Sequence, residues 1–101
     1  MFGKRSRSQL HSVIFTDGRI VSTSRDGDSM HLVFRDYAGS ELRIELSGVT
    51  SCELSPQAYV YDVMNTQLHE QGDGWLLRLG DDDDELLLAL AFRDAEVAYI
   101  T

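Results

Sequence analysis

Charged and aliphatic residues alternate most regularly between Ser29 and Leu46. The part from Glu41 to Leu46 alternates without a break, which is the period-2 signature of a strand with one buried face. The part from Ser29 to Arg35 alternates more loosely, and the segment from Asp36 to Gly39 between them has the composition of a turn. We therefore predict an antiparallel hairpin that packs one face against the core.

Turn signals recur along the rest of the chain at intervals of about 8 to 12 residues, which is typical of an all-β meander. Several are Asp-Gly pairs, which tolerate the positive φ angles that tight hairpins need. The pattern predicts an all-β domain, or a β-rich domain with one short helix, in which about seven or eight antiparallel strands form a sandwich or a small barrel. The candidate strands outside the hairpin are Leu10 to Thr16, Arg19 to Arg25, Val49 to Leu54, Tyr59 to Val63, Trp75 to Leu79 and Leu86 to Phe92.

Two of these candidates have predictable places in a sheet. The segment from Arg19 to Arg25 contains only Ile20 and Val21 as clearly apolar residues, so we predict an edge strand. The segment from Leu86 to Phe92 is apolar on both sides, which favours the centre of a sheet covered on both faces, or a closed barrel.

The stretch 55–71 fits either a strand or a helix. Ser55-Pro56 has the composition of a helix start, and Gly72 that of a helix end. Against this, Tyr59 to Val63 is rich in β-branched and aromatic residues, so we favour a strand after one helical turn near Pro56.

The stretch 84–100 is also open. Asp84 can cap a helix whose leucine, alanine and glutamate content favours helix. Trp75 to Leu79 and Leu86 to Phe92, however, have the composition of hairpin partners, which favours strand. The helical alternative would give a pleckstrin-homology-like fold with a C-terminal helix.

The length and charge of the chain indicate one domain with a basic leader. A chain of 101 residues suits a single domain with one core. Three of its nine basic residues, Lys4, Arg5 and Arg7, lie in the first seven positions. We predict that residues 1–8 are a disordered basic arm and that residues 9–101 form one β-rich domain.

From Ser8 onward, six arginines face seventeen acids, a net charge of −11. Such a surface repels nucleic acid phosphates, so we predict no nucleic acid partner. No apolar run approaches the roughly 20 residues that span a bilayer, so we predict no membrane insertion. A single cysteine, Cys52, cannot form an internal disulfide, and we predict a cytoplasmic protein.

Few residues suggest chemistry. The acidic run from Asp81 to Glu85 lacks the alternate spacing and central glycine of a calcium loop, and the three histidines lack zinc-site spacing. Because no nucleotide or nucleophile motif occurs, we predict no catalytic residue, no metal and no cofactor. Aromatic residues with a polar tip and the acidic run remain as candidates for contacts with a partner, although such aromatics fit the core or its rim at least as well. These candidates are Tyr59, Tyr61, Trp75, Asp81, Asp82, Asp83 and Asp84.

Four segments carry a resemblance to known proteins: Leu10 to Ile14, Leu32 to Asp36, Leu42 to Val49 and Leu88 to Phe92. In hydrophobic spacing they resemble a loose group of small bacterial β domains, many of them found among toxin-immunity proteins. That group often has His-Asp-Ser near its start, where this chain has Leu-His-Ser, and no functional residue is transferred from it. The resemblance implies a non-enzymatic role in binding another protein.

The resulting functional prediction is a non-enzymatic, acidic protein-binding module for a basic partner, with an immunity or inhibitor role as its sharpest form. One alternative is a β domain that binds a small molecule or a lipid headgroup in a concave apolar pocket. Another is a homo-oligomer assembled through an exposed sheet edge such as Arg19 to Arg25.

Overall fold

The computed structural model of this protein describes residues 10–100, and the predicted basic arm of residues 1–8 lies outside them. The described residues form eight strands and almost no helix. In chain order the strands are β1 (Arg19–Asp26), β2 (Ser29–Arg35), β3 (Glu41–Ser47), β4 (Ser51–Leu54), β5 (Asn65–Gln71), β6 (Gly74–Gly80), β7 (Leu86–Phe92) and β8 (Asp94–Tyr99).

The strands form two antiparallel four-stranded sheets that pack as a sandwich. The first sheet has the order β1-β2-β3-β8 and the second has the order β4-β7-β6-β5. The predicted all-β sandwich is therefore confirmed, and the described strands do not form a closed barrel. The pleckstrin-homology-like alternative is wrong, because the proposed helix is instead two strands, β7 and β8, paired within different sheets.

The predicted hairpin is β2 and β3. Its register places Leu32 opposite Ile44 and Phe34 opposite Leu42, and all four side chains are fully buried. The side chain of Asp36 closes the turn by accepting hydrogen bonds from the backbone N–H groups of Ala38 and Ser40. Alternation along the strands thus determines which face of the first sheet covers the core.

The other two positional predictions are also confirmed. β1 is an edge strand of the first sheet. β7 lies between β4 and β6 in the second sheet, where Leu88, Leu90 and Phe92 are buried. Apolar residues on both of its sides agree with this inner position.

Two short connections carry the chain between the sheets. Residues 48–50 join β3 to β4, and Arg93 alone joins β7 to β8. Gly48 has a φ of +66°, and a Cβ atom on it would lie 2.6 Å from Cγ of Arg93. Because a side chain here would be both strained and crowded, this corner requires glycine.

The prediction of a strand at Leu10 to Thr16 is wrong. The backbone turns here, with a hydrogen bond of 3.1 Å from the N–H of Val13 to the carbonyl of Leu10. Leu10 and Phe15 are both buried although they are five positions apart, which a period of two does not allow. Phe15 packs edge-on against Phe34 at a ring distance of 5.0 Å, so the segment covers the core without joining a sheet.

The prediction of a strand at Tyr59 to Val63 is also wrong, and so is the alternative of a helix through 55–71. Residues 56–60 are turns, and the strand begins only at Asn65. Ser55 starts the turns, since its side-chain oxygen accepts a hydrogen bond from the N–H of Gln57 and its carbonyl accepts one from Ala58. Local hydrogen bonding by Ser55 therefore outweighs the strand propensity of the residues that follow.

Candidate functional site

The segment 55–64, which we call the aromatic loop, is fixed to the edge of the first sheet. Asp62 forms an ion pair of 2.9 Å with Arg19, and the hydroxyl of Tyr59 lies 2.7 Å from Oγ1 of Thr23. Val63 is buried, and its N–H donates to the carbonyl of Gly18 at 2.8 Å. The loop therefore has a defined position on the sandwich although it belongs to neither sheet.

The anchored aromatic loop leaves a group of large apolar side chains in contact with solvent. Their exposed fractions are 40% for Tyr59, 57% for Val60, 46% for Tyr61 and 39% for Met64. Exposed aromatic and methionine side chains on a fixed backbone are typical of protein interfaces.

Residues 81–85, which we call the acidic turn, join β6 to β7. Oδ1 of Asp81 accepts hydrogen bonds of 2.9 Å from the backbone N–H groups of both Asp83 and Glu85. Asp84, whose φ is +60°, forms an ion pair of 2.8 Å with Arg78. Asp81 and Asp84 therefore hold the turn in shape.

The other three carboxylates of the acidic turn, those of Asp82, Asp83 and Glu85, form no ion pair within residues 10–100. All three residues are exposed. Their charges are therefore presented to solvent from a turn whose backbone is fixed by its neighbours.

The aromatic loop and the acidic turn lie side by side. The N–H of Met64 donates to the carbonyl of Gly80 at 2.8 Å, and the side-chain amide of Asn65 donates to the carbonyl of Asp81 at 2.8 Å. These bonds join the end of the loop to the start of the turn. We name the combined region the aromatic-acidic surface; it consists of Tyr59, Val60, Tyr61, Met64, Asp82, Asp83 and Glu85.

The structure separates Trp75 from the other residues predicted to contact a partner. Trp75 lies at the far end of β6, about 20 Å along the strand from Asp81. It is only 9% exposed, and its ring lies 6.1 Å from that of His11 in an edge-on contact. Trp75 is thus a core residue at the opposite end of the sandwich from the aromatic-acidic surface.

The sequence prediction did not include Val60, Met64 or Glu85. The interpretation of 55–71 as a strand or a helix assigned Met64 to a regular element, where half of the side chains are buried. Tyr59, Val60 and Tyr61 are instead successive exposed residues of the aromatic loop, and Met64 is exposed as well. The available signal was Ser55-Pro56, whose turn chemistry argues against a strand at the following positions.

The exposed edge of β1 is irregular. A β-bulge lies between Ile20 and Ser22, and Val21 is 38% exposed there. Side chains of the aromatic loop bind Arg19 and Thr23 on the same strand. Bulges and covering loops make an edge a poor template for pairing with another strand.

A cleft of about 400 Å³ lies at the end of the sandwich that holds Trp75. Its wall carries three carboxylates, Glu70, Asp73 and Asp94, and one guanidinium, Arg93. We call it the acidic cleft. It is open to solvent and lined largely by polar atoms, so it differs from the concave apolar pocket typical of small-molecule sites.

No group of three or more histidine, cysteine, aspartate or glutamate side chains in residues 10–100 is arranged to hold a metal ion. Cys52 is half-buried on β4, opposite Leu90 of β7. Over the same range, no helix has the length and apolar character needed to cross a bilayer. No protein-family model matches the chain, and neither does any curated protein.

Proposed function

We propose that this chain is a non-enzymatic module that binds a basic protein through the aromatic-acidic surface. The observation that carries the proposal is the pair of hydrogen bonds from Met64 and Asn65 to Gly80 and Asp81, which join the exposed apolar loop to the acidic turn. Burial of the apolar side chains would supply affinity, and the carboxylates around them would select a partner of opposite charge.

The charge of the whole domain supports the same choice of partner. The described residues carry six arginines and seventeen acids. Within residues 10–100, four of the six arginines form ion pairs, and the acids outnumber the arginines by eleven. A strongly negative domain accelerates encounter with a positive partner, and inhibition of a basic enzyme exploits this effect. The sharpest form of the proposal is therefore an immunity or inhibitor protein, acting in the cytoplasm on a basic partner.

A pulldown with three baits tests the proposal. The first bait is the wild type, and the second is Asp82→Asn with Asp83→Asn, which removes two carboxylates that take no part in holding the acidic turn. The third is Asp26→Asn with Glu96→Gln, which removes the same charge from the first sheet. We expect a basic protein on the wild-type and third baits, and a loss of about tenfold or more on the second bait.

Salt and a second substitution separate specific binding from general charge attraction. Capture should weaken between about 0.1 M and about 1 M NaCl, because the screening length falls from about 10 Å to about 3 Å. Tyr61→Ser should weaken capture even at low salt, since it removes an apolar contact without altering charge. Equal losses on the second and third baits, or no basic protein on any bait, would contradict the proposal.

A further inference from the structure

Three of the four edge strands carry features that oppose pairing with another chain. Natural edge strands are protected by bulges, by short length, by charged side chains and by covering loops. β1 contains a bulge and is bound by the aromatic loop. β4 has only four residues, and β8 carries two acids, Asp94 and Glu96.

The fourth edge strand, β5, has few such features. Its seven residues pair with β6 without a register shift, and they include no proline, lysine or arginine. Six of them are exposed, and the only acid is Glu70. Among residues 10–100, β5 pairs only with β6. Because alternate residues of an edge strand direct their N–H and C=O groups away from its neighbour, β5 presents a regular row of donors and acceptors to a further strand.

The sequence of β5 suits pairing with the β5 strand of a second copy. A two-fold axis through Leu68 places all seven residues opposite a residue of the other copy, in antiparallel register. Leu68 then faces itself, each polar side chain faces a polar one, and no two charges of the same sign are directly opposite. The facing pairs are Leu68 with Leu68, Gln67 with His69, Thr66 with Glu70, and Asn65 with Gln71.

The same axis keeps the two acidic turns apart. The acidic turn is joined to the first residue of β5, since the side-chain amide of Asn65 donates to the carbonyl of Asp81. Antiparallel pairing places Asn65 of one copy opposite Gln71 of the other, so the two Asn65 residues are about 20 Å apart along the strands. The two aromatic-acidic surfaces therefore lie at opposite ends of the paired strands.

We propose that two copies of this chain pair antiparallel through β5, about a two-fold axis at Leu68, and so join their second sheets into one continuous sheet. One pair of strands buries less than the roughly 1,200 Å² of a stable interface, so the dissociation constant lies in the micromolar to millimolar range. Acids outnumber arginines by eleven in residues 10–100 of each copy, so added salt strengthens the association by screening repulsion. Capture of a basic partner responds to salt in the opposite direction.

Charges introduced at Gln67 and His69, which are exposed and face each other across the axis, test this register. One variant carries Gln67→Glu with His69→Glu, and the other carries Gln67→Lys with His69→Lys. By sedimentation equilibrium at about 0.15 M NaCl, we expect each variant alone to associate at least about fivefold more weakly than the wild type. An equimolar mixture of the two should form heterodimers. The control, Ser22→Glu with His31→Glu, adds two negative charges to the first sheet and should dimerise within about twofold of the wild type.

Disulfide crosslinking gives a second measurement, in a chain that also carries Cys52→Ser. Leu68→Cys places two thiols directly opposite each other, whereas Thr66→Cys places them about 13 Å apart on the same face of the sheet. Under mild oxidation we expect at least about fivefold more crosslinked dimer from Leu68→Cys.

Three results would overturn the proposal. They are a wild type that stays monomeric at millimolar concentration and about 1 M NaCl, a mixture that associates no better than its two components, and equal crosslinking at positions 66 and 68. If circular dichroism shows that a charged variant is unfolded, the crosslinking decides. All residues of the aromatic-acidic surface are unchanged in these variants, so failure of this proposal is distinguishable from failure of the proposed function.

Discussion

At the level of single residues, some carboxylates of the acidic turn hold its backbone in place and others, among the described residues, form no such contact. Asp81 satisfies two backbone N–H groups, and Asp84 pairs with Arg78. Within residues 10–100, Asp82 makes neither kind of contact, although it is adjacent to Asp81. A sequence of consecutive acids contains no signal for this division, because it depends on which carboxylate the backbone of the turn brings within reach of its N–H groups.

This division predicts opposite effects for two neighbouring substitutions. Asp81→Ala should lower the free energy of unfolding by about 1 to 2 kcal/mol, because two backbone donors lose their charged acceptor. Asp82→Ala should leave stability unchanged or raise it slightly, since it removes one of several repelling charges. Urea unfolding monitored through Trp75 measures both values. Equal destabilisation by the two substitutions would show that Asp81 does not hold the turn.

At the level of elements, regular alternation was the reliable signal in the sequence. It located the β2–β3 hairpin, whose register buries the predicted face, whereas an uninterrupted apolar run located the inner strand β7. It did not reveal β5, where only Leu68 is even half-buried. Nor did it separate β8 from β7, because Arg93 turns the chain from one sheet into the other within a single residue. The corner at Arg93 requires a glycine at position 48, which is distant from Arg93 in sequence but packs against its side chain in the fold.

The candidate site was less predictable than the sheets. Charge and aromatic content identified Tyr59, Tyr61 and the acidic turn, but the same criteria selected Trp75, which is buried at the other end. Composition describes which side chains suit an interface. It does not determine which of them the fold places together, since the contact between the aromatic loop and the acidic turn joins residues 64 and 80.

The order of the strands predicts a pattern of amide hydrogen exchange. Strands β2, β3, β6 and β7 each have two neighbours, whereas the other four strands have one. We expect slower exchange in the inner strands, because their amides open only when the core is disrupted. Exchange measured by NMR, residue by residue, checks this. Protection of β5 or β8 equal to that of β7 would indicate that another element covers the outer side of those strands.

At the level of the whole molecule, charge opposes folding more than it assists it. Residues 10–100 carry six arginines and seventeen acids, and the four ion pairs among them involve side chains that are at least 28% exposed. Exposed pairs of this kind each contribute about 0.2 to 1 kcal/mol. Because acids outnumber arginines by eleven in this range, we expect repulsion among carboxylates to outweigh these pairs in the electrostatic part of the stability.

This balance predicts that sodium chloride stabilises the domain. Raising NaCl from about 0.1 M to about 1 M shortens the screening length to about 3 Å, which weakens the longer-range repulsion throughout the surface. We expect a gain of about 1 kcal/mol, or roughly 4 to 8 °C in Tm for a domain of this size, measured by calorimetry. The variant with Asp82→Asn, Asp83→Asn and Glu85→Gln should have a higher Tm at low salt and a smaller response to salt. A Tm that falls as NaCl is added would mean that the ion pairs, and not the repulsion, govern the stability of the sandwich.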